Sequence, residues 1–562
     1  MLPGDSAELR KQRGAFFTPY SIAEFLASWA LRGEGSERTV LDPTCGEGVF
    51  LLAAANQEPR DTAGRWHARC IGVDIHASSL DETQRLLATE GHGPAELHLG
   101  DFFDERSPDQ LDARIPYVDA VVGNPPFVRY QEHRGDVRRK AAAAALAQGV
   151  RLSGLASSWA ALLVHSSSFL KPDGRIAMVV PAELLSVGYA EPIRQWLRRR
   201  FKSVHLVLFE KLQFADAEEQ VVLLVARGTG GCNAFTLHEV RDASELAGLH
   251  IFDADAYTPR DTGKWTELLV PEEVRGILRH SLTEHFTTLS HFGTVELGTV
   301  TGANKFFTLS ETTRQEFGLQ PGKHVQKTVP PGSRHIPGLQ FTLGQWEQLR
   351  LQGERVWMLN PEQTKLAGGG LQRYVDLGEQ LRVHEGYKCS NRSPWWRPPV
   401  QPAPDMFFTY MSHVMPRLIS NDAAVTFVNS MHGVTLNNEV TDVERAALPF
   451  LALNTVTMLS AELTGRTYGG GILKMEPREA AQLALPGSAD IQRAWIELAG
   501  RRQHLDELTR AKRWTRIAEE VDTALLTNTL GIAESDLQKL RAALLRRRAR
   551  RQRREEDGTP SR

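Results

Sequence analysis

Short apolar runs recur through the first 230 residues, and the early ones each end near an acidic residue or at Gly-Asn. Helical patterns separate these early runs, and such an alternation is typical of a mostly parallel, doubly wound sheet. We therefore predict an α/β fold built on a seven-stranded sheet. The predicted strands are residues 39–41, 70–73, 96–99, 120–122, 175–180, 204–209 and 221–226.

The pattern of the chain changes twice after this region. The last two runs are joined by too short a connection for a long helix, so we expect an antiparallel hairpin at that edge of the sheet. Residues 236–490 have irregular strand signals rich in Gly, Pro and aromatic residues, which predicts a separate α+β domain. Residues 491–562 are helical in pattern. We therefore divide the chain into domains 1–235, 236–490 and 491–562.

Charge and cysteine usage exclude several classes of protein. The 562 residues carry 66 Lys and Arg against 68 Asp and Glu, so basic charge does not coat every face, although a local basic cleft stays possible. Four cysteines without a CxxC pair, and histidines without metal-ligand spacing, predict neither a disulfide scaffold nor a metal site. A polar N-terminus and the absence of an 18-residue apolar run lead us to expect a cytoplasmic protein without a membrane span.

The first strand ends in a glycine-containing turn, Asp42-Pro43-Thr44-Cys45-Gly46-Glu47-Gly48. In open α/β sheets, ligands bind beyond the carboxyl ends of the strands. Gly46 and Gly48 remove side chains where a ligand must approach the backbone. The third glycine of a dinucleotide-binding loop is absent, so we expect Asp42 to hold a cationic group rather than a pyrophosphate. A turn used only for packing is the alternative.

Two further strand ends carry acidic residues next to apolar ones. Asp74, followed by Ile75, lies at a spacing from Gly48 that suits a carboxylate accepting both hydroxyls of a ribose. Asp101 has the position to accept from an exocyclic amine, and Phe102 to stack on a base. A solvated strand-end acid and an ordinary turn are the corresponding structural alternatives.

The fourth strand end is Asn124-Pro125-Pro126-Phe127. Two prolines fix the backbone and remove two donors, so the Pro125 carbonyl is expected to face outward without a local partner. With the side-chain oxygen of Asn124 it provides two neighbouring acceptors, and Phe127 adds a stacking surface. Two acceptors and a ring suit a planar aromatic amine. The four strand ends together are far more specific than any one of them.

These residues resemble a class I S-adenosylmethionine-dependent methyltransferase with a Rossmann-like sheet. More narrowly, they resemble the γ-type DNA adenine-N6 methyltransferases of restriction–modification systems, the TaqI/Eco57I-like family. That resemblance implies the catalytic motif at Asn124, Pro125, Pro126 and Phe127. The cofactor-binding residues that it implies are Phe17, Thr18, Pro19, Tyr20, Asp42, Pro43, Thr44, Cys45, Gly46, Gly48, Asp74, Ile75, Asp101, Phe102 and Asn124.

The same resemblance extends into the second half of the chain. Residues 301–307, 388–396 and 467–474 look like segments of a target-recognition domain that binds double-stranded DNA. The substrate-binding residues implied or proposed are Phe127, Phe214, Lys305, Arg392 and Lys474, with Lys388, Arg397 and Arg417 as further basic candidates. Solvated surface charge is the alternative for each cation. Residues 541–554 include eight arginines and no acid, which fits either a phosphate-contacting helix or a solvated tail.

The expected reaction is methyl transfer from S-adenosylmethionine to N6 of an adenine flipped out of the duplex. Methylation of an RNA base or of cytosine N4 stays open as an alternative, and methylation of a protein glutamine is disfavoured by the length of chain after the sheet. Only 13 residues precede Gly14, so we do not expect a nuclease domain in this chain. A separate endonuclease or phage-defence partner is possible, and we expect a monomer.

Overall fold

The computed structural model describes residues 18–32, 38–57, 68–128, 135–154, 156–209, 221–251, 256–258, 264–363, 365–468 and 471–556. The chain divides into two compact units, the first running to Leu268 and the second comprising Leu269–Gln552. Phe17 and Phe214, both proposed from the sequence as site residues, lie outside the described residues.

A sheet of nine described strands forms the first unit, in the order β3-β2-β1-β4-β5-β7-β6-β8-β9. Strands β1 to β5 are parallel, and β7 runs antiparallel to both β5 and β6. The strands are β1 Arg38–Asp42, β2 Ala68–Asp74, β3 Glu96–Leu99, β4 Val118–Gly123, β5 Leu170–Pro181, β6 Phe201–Phe209, β7 Val221–Thr229, β8 Phe235–Val240 and β9 Ala256–Tyr257.

The seven predicted strands are confirmed, and so is the antiparallel hairpin of β6 and β7. The expectation that this hairpin forms the sheet edge is wrong, because β8 pairs in parallel with β6 and β9 pairs with β8. For the same reason the first unit continues beyond residue 235 to Leu268.

Helices alternate with the parallel strands, as expected where crossover connections join neighbouring strands. Central strands are apolar on both faces; Val121, Ile176 and Leu223, for example, are fully buried. This packing fixes the strand ends that carry the site. The helices of the first unit are Tyr20–Ala30, Val49–Gln57, Ala77–Thr89, Gly135–Ala147, Ser158–Ser166, Glu183–Ser186 and Glu191–Arg200, with short 3-10 turns at Phe102–Asp104, Ser167–Phe169, Gly188–Ala190 and Ala243–Gly248.

Small sheets and helices make up the second unit, which is the α+β architecture expected from its sequence. Its sheets have the orders β10-β21, β11-β18-β15-β17, β12-β14-β13 and β16-β20-β19. The strands are β10 Phe286–Thr288, β11 Gly293–Leu297, β12 Thr308–Leu309, β13 Val325–Lys327, β14 Trp357–Leu359, β15 Met406–Phe408, β16 Met411–Ser412, β17 Leu418–Ser420, β18 His432–Leu436, β19 Arg466–Tyr468, β20 Ile472–Lys474 and β21 Ala484–Pro486.

Helices of the second unit surround these sheets, and many begin at a side-chain cap, such as the reciprocal Thr441 and Glu444 pair. Those before residue 488 are Glu272–His285, Leu289–Phe292, Asn304–Phe307, Glu311–Glu316, Leu343–Leu351, Gly369–Gln380, Tyr387–Ser390, Asp442–Leu451, Thr455–Thr464 and Pro477–Ala480. Two apolar cores hold the unit, one centred on the buried Phe307, Trp346 and Phe407 and the other on Phe450 and Leu459.

The C-terminal region is helical, as predicted, with helices Ser488–Leu498, Arg502–Arg510, Trp514–Asp522 and Glu534–Glu556 and a π-helical turn at Thr523–Thr529. Within the described residues no single helix is long and apolar enough to cross a membrane, although Asp442–Leu451 and Thr455–Thr464, bent by 73° at their junction, pass that test together.

Candidate active site

Asp42 ends β1 and is almost completely buried. Its Oδ1 accepts a hydrogen bond from the Thr44 backbone N–H at 3.1 Å, whereas its Oδ2 has no partner among the described residues. Burial raises the pKa of Asp42 to about 8, with a smaller contribution from the neighbouring Asp74 carboxylate. Gly123, at the end of β4, permits this packing, because a Cβ there would lie 2.8 Å from Asp42 Oδ1.

The loop after Asp42 crosses the end of β2. The Cys45 N–H donates to the Val73 carbonyl at 2.9 Å, and the Gly46 N–H donates to Asp74 Oδ2 at 3.0 Å. Gly46 and Gly48 have φ values of 53° and 84°, which favour glycine. A Cβ at Gly48 would also collide with Thr83. Both glycines are thus required by conformation, and Gly48 also by space.

Cys45 is buried in this loop, and Pro43 is buried beside it. Burial, followed by the charges of Asp42 and Asp74, raises the pKa of the Cys45 thiol above its ordinary value. A thiol in this state is a poor nucleophile, because the thiolate is the reactive form. The buried Cys45 side chain therefore packs the loop.

Asp74 at the end of β2 accepts two backbone N–H groups, from Gly46 and, at 2.8 Å, from His76. These bonds fix its carboxylate against the glycine loop and leave lone pairs on both oxygens for other donors. Ile75 follows it, with 63% of its surface exposed. An oriented carboxylate and an exposed apolar side chain therefore lie next to each other, as the ribose and base of a nucleoside require.

Asp101 begins the 3-10 turn Phe102–Asp104 and accepts from the Phe103 N–H at 3.0 Å. Phe102 is only 2% exposed, and its ring packs on His165 and Phe169 at centroid distances of 5.0 and 5.2 Å. The expectation that the Phe102 ring stacks on a base therefore does not fit this structure, since its faces are used in the core. Phe103 is the more exposed of the two rings.

Asn124 directly follows β4, with its side chain turned toward the N-terminal helix segment. Its Nδ2 donates to Thr18 Oγ1 at 3.1 Å, while its Oδ1 is buried and has no partner among the described residues. Pro125 and Phe127 are buried, and Phe127 is 8% exposed. The Pro126 carbonyl accepts from the Ser158 hydroxyl.

Thr18, Pro19 and Tyr20 lead into the first described helix, Tyr20–Ala30. Pro19 precedes the helix, and its carbonyl accepts from the Ile22 N–H at 3.0 Å. The Tyr20 hydroxyl accepts from Asn56 Nδ2 at 2.7 Å. Of this segment, Thr18 has direct contact with the Asn124 side chain, whereas Tyr20 is joined to the helix Val49–Gln57.

The basic residues proposed for DNA contact differ in their surroundings within the second unit. Lys305 is exposed on the short helix Asn304–Phe307, and Lys388 and Arg397 are exposed as well. Arg392 donates to the Val300 and Thr301 carbonyls, both at 3.1 Å. Lys474 pairs with Glu476 at 2.7 Å.

The guanidinium of Arg417 is already hydrogen-bonded to the backbone of its own unit. Its Nη1 donates to the carbonyls of Ile336, Pro337 and Gly338, and burial lowers its pKa to about 10. Of the two adjacent tryptophans, Trp396 is buried in an apolar core and Trp395 packs on Phe306 at 5.5 Å between ring centroids. Arg417 and the tryptophans therefore support the fold of this unit.

Two residues that support the site were missed from the sequence. The Thr83 hydroxyl donates to the Gly46 carbonyl at 2.9 Å, and Ser158 binds the backbone around Phe127. Both lie more than 25 residues from the loops they hold, so no local motif marks them. A serine pair before the apolar run 159–164 was the available signal for Ser158, as a helix start.

Three buried polar atoms at neighbouring strand ends have no hydrogen-bond partner among the described residues: Asp42 Oδ2, Thr44 Oγ1 and Asn124 Oδ1. Buried polar groups are nearly always paired, so such a group of atoms indicates where a polar ligand binds. The oxygens of the Asp42 carboxylate and the Thr44 hydroxyl, together with the Asp74 carboxylate, have the chemistry to bind the ammonium, carboxylate and ribose groups of S-adenosylmethionine. Among the described residues, no three His, Cys, Asp or Glu side chains are grouped to hold a metal ion.

Comparison with known proteins agrees with this chemistry. The N-6 DNA Methylase family matches residues 4–225, and the family described as Type II methyltransferase M.Eco57I, C-terminal domain, matches residues 262–526. The Type II methyltransferases M.AccI of Acinetobacter calcoaceticus and M.XamI of Xanthomonas campestris pv. amaranthicola are each 23% identical, over 84% of this chain and 85% of theirs. A solved DrdV–DNA complex is similar with a TM-score of 0.49 and 14% identity, over 90% of this chain and 58% of that one.

The fold and the match to the N-6 DNA Methylase family thus define a class I S-adenosylmethionine-dependent methyltransferase. Within that class the chain belongs to the N-6 DNA methylases of restriction–modification systems, since the two family matches cover most of its length.

Proposed function

We propose that this protein methylates N6 of a specific adenine, which it takes out of duplex DNA. The observation that carries the proposal is Asn124, which follows β4 and precedes two prolines, and whose buried Oδ1 has no partner among the described residues. An acceptor fixed beside a proline carbonyl suits the N–H groups of a planar amine. The buried oxygens of Asp42 and Thr44, which also have no partner in the part of the chain that the structure describes, support a cofactor site at the same strand ends.

Adenine N6 is a weak nucleophile because its lone pair is delocalised into the ring. In the proposed reaction, its N–H groups donate to Asn124 Oδ1 and to the Pro125 carbonyl. Both acceptors favour a pyramidal nitrogen and stabilise the positive charge that develops on it, so the residues act by orientation and electrostatics. When bound, S-adenosylmethionine would supply the electrophilic methyl group and its sulfonium would become a thioether, while the proton lost from N6 would pass to water.

The residues proposed to hold the cofactor divide by chemistry. Asp42 faces the cationic part, Asp74 accepts from the ribose hydroxyls, and Ile75 covers the adenine of the cofactor. Asp101 is proposed to accept from the exocyclic amine of that adenine. Phe127 is proposed to stack on the target base, which requires its ring, now 8% exposed, to be uncovered in the complex.

The second unit is proposed to recognise the DNA sequence, with Lys305 as a proposed phosphate contact because it is exposed, as Lys388 and Arg397 are. The curated relatives are Type II methyltransferases by name, so we also propose that the protein modifies DNA alongside a separate endonuclease. We expect it to act as a monomer.

Methyl transfer from radiolabelled S-adenosylmethionine to DNA, RNA and protein, measured in parallel, tests this function. The expected result is incorporation into duplex DNA alone, and sequencing of the product that detects modified bases should find N6-methyladenine in one short motif. Label at cytosine N4 would replace the proposed base while keeping the enzyme class. Label in RNA or protein but not in DNA would overturn the proposal.

A further inference from the structure

Ser158 begins the helix Ser158–Ser166, and its hydroxyl makes two hydrogen bonds to the catalytic loop. The hydroxyl donates to the Pro126 carbonyl and accepts from the Val128 N–H at 3.0 Å. Neither role is ambiguous, because a carbonyl only accepts and a backbone N–H only donates. The side chain is buried, so water does not compete for these bonds.

The two groups that Ser158 contacts belong to the two peptide bonds that flank Phe127. The Pro126 carbonyl is part of the peptide before Phe127, and the Val128 N–H is part of the peptide after it. One hydroxyl therefore restrains both backbone dihedrals of Phe127, and with them the direction of its ring. It also occupies the Pro126 carbonyl, which is therefore not a free acceptor for a ligand.

Neighbouring contacts make this arrangement rigid. The Ser158 N–H lies at the helix start, where backbone donors have no acceptor within their own helix, and it donates to the Val128 carbonyl at 3.1 Å. The Ser157 hydroxyl donates to the same oxygen at 2.8 Å. The next residue, Trp159, is fully buried, and its Nε1 donates to the Tyr189 hydroxyl at 3.1 Å. The helix start is therefore held by the core.

We infer that Ser158 is a positioning residue for methyl transfer, which holds the backbone on both sides of Phe127 and so aims the Phe127 ring at the target base. The inference rests on the proposed function of Asn124-Pro125-Pro126-Phe127. It predicts that loss of the hydroxyl lowers the rate of transfer with little change in cofactor binding. A misplacement of about 1 Å at a reacting centre reduces rates by about 10²-fold.

Ser158→Ala and Ser158→Thr test the inference, with Ser166→Ala as the matched control. Ser166 lies in the same helix and is fully buried, but its hydroxyl donates to the Leu162 carbonyl of its own helix, at 2.7 Å. Single-turnover methylation is measured on duplex DNA carrying the motif found by sequencing. Fluorescence of 2-aminopurine at the target position reports how the flipped base is held, and Tm and the Kd for S-adenosylmethionine are measured for each variant.

Ser158→Ala is expected to lower the single-turnover rate by about 10²-fold and to change the 2-aminopurine signal, with a cofactor Kd within about twofold of the parent value. Ser158→Thr, which keeps a hydroxyl, should recover most of the rate. Equal rates for Ser158→Ala and Ser166→Ala, compared below the Tm of both, would overturn the inference. An inactive parent protein would instead overturn the proposed function.

Discussion

The site residues of the first unit and the predicted DNA-contacting cations of the second differ in how their polar atoms are satisfied. At the strand ends, buried oxygens of Asp42, Thr44 and Asn124 have no partner among the described residues. In the second unit, Arg392 and Arg417 already bind backbone carbonyls, and Lys474 binds Glu476. Unsatisfied buried atoms indicate a ligand, whereas a basic residue in a sequence indicates one only if the fold leaves its charge free.

The largest expected effect is a loss of stability in the arginine-rich helix Glu534–Glu556, where one arginine is buried and paired. Arg551 is buried within the second unit, and its guanidinium binds the buried Glu462 at 2.8 Å and the His413 carbonyl at 3.0 Å. Arg551→Ala should lower the free energy of unfolding by about 3–5 kcal/mol, because the buried Glu462 loses its hydrogen-bonded partner and keeps only Arg548, at 3.9 Å. Urea denaturation followed by circular dichroism measures the change.

Arg546→Ala is the control on the same helix, because Arg546 is exposed, and its effect should stay within about 0.5 kcal/mol. Equal losses of stability from the two variants would mean that burial does not separate structural from free arginines in this helix. A loss from Arg551→Ala alone assigns part of the run 541–554 to the fold rather than to phosphates.

Asn124→Ala tests the other side of the comparison, because it removes a buried oxygen that has no partner among the described residues. Removal of the Oδ1 acceptor should lower kcat by about 10²–10³-fold, a loss typical of a single preorganised hydrogen-bonding group. The cofactor Kd, measured by calorimetry, should change little. Asn528→Ala, at an exposed asparagine whose amide donates to Glu497, is the control and should remain active. Near-normal methylation by Asn124→Ala would exclude the catalytic role.

The sequence was sufficient for the sheet and the strand ends because both depend on local patterns. Apolar runs predicted seven strands, but β8 was missed, since Phe235–Val240 mixes polar and apolar residues and follows a Gly-rich turn. Thr83 and Ser158 escaped because they lie 37 and 32 residues from the carbonyls they bind. The burial of Phe102 depends on the core contacts of a short turn, which no periodicity reports.

The raised pKa of Asp42 makes the stability of the fold depend on pH. The folded protein keeps the Asp42 proton up to a pKa of about 8, while the unfolded chain loses it near 3.8. Without cofactor, folding therefore becomes less favourable as pH rises between these values, by at most about 1.4 kcal/mol per pH unit from this group. Asp42→Asn should leave Tm unchanged at pH 4 and raise it at pH 9.

The same variant should weaken cofactor binding, because an amide replaces the carboxylate that faces the cationic group. Thermal melts at pH 4, 7 and 9, with and without S-adenosylmethionine, measure both effects. A Tm difference between Asp42→Asn and the parent that is independent of pH would contradict the raised pKa. Full retention of the cofactor-induced Tm shift would contradict the proposed place of Asp42 in the site.

Lys305→Ala has the smallest expected effect. It tests directly whether an exposed cation of the second unit contacts DNA. It is exposed on Asn304–Phe307, so Lys305→Ala should leave Tm unchanged while it weakens binding to duplex DNA. If Lys305 contacts one phosphate, the slope of log K against log salt should become shallower by about 1. Fluorescence anisotropy over a range of salt concentrations measures that slope.

Lys539→Ala, at a lysine paired with Glu273 and Asp536, is the control and should keep the parent slope. An unchanged slope for Lys305→Ala would remove Lys305 from the DNA interface, and the exposed cations Lys388 and Arg397 would then be the residues to test by the same measurement.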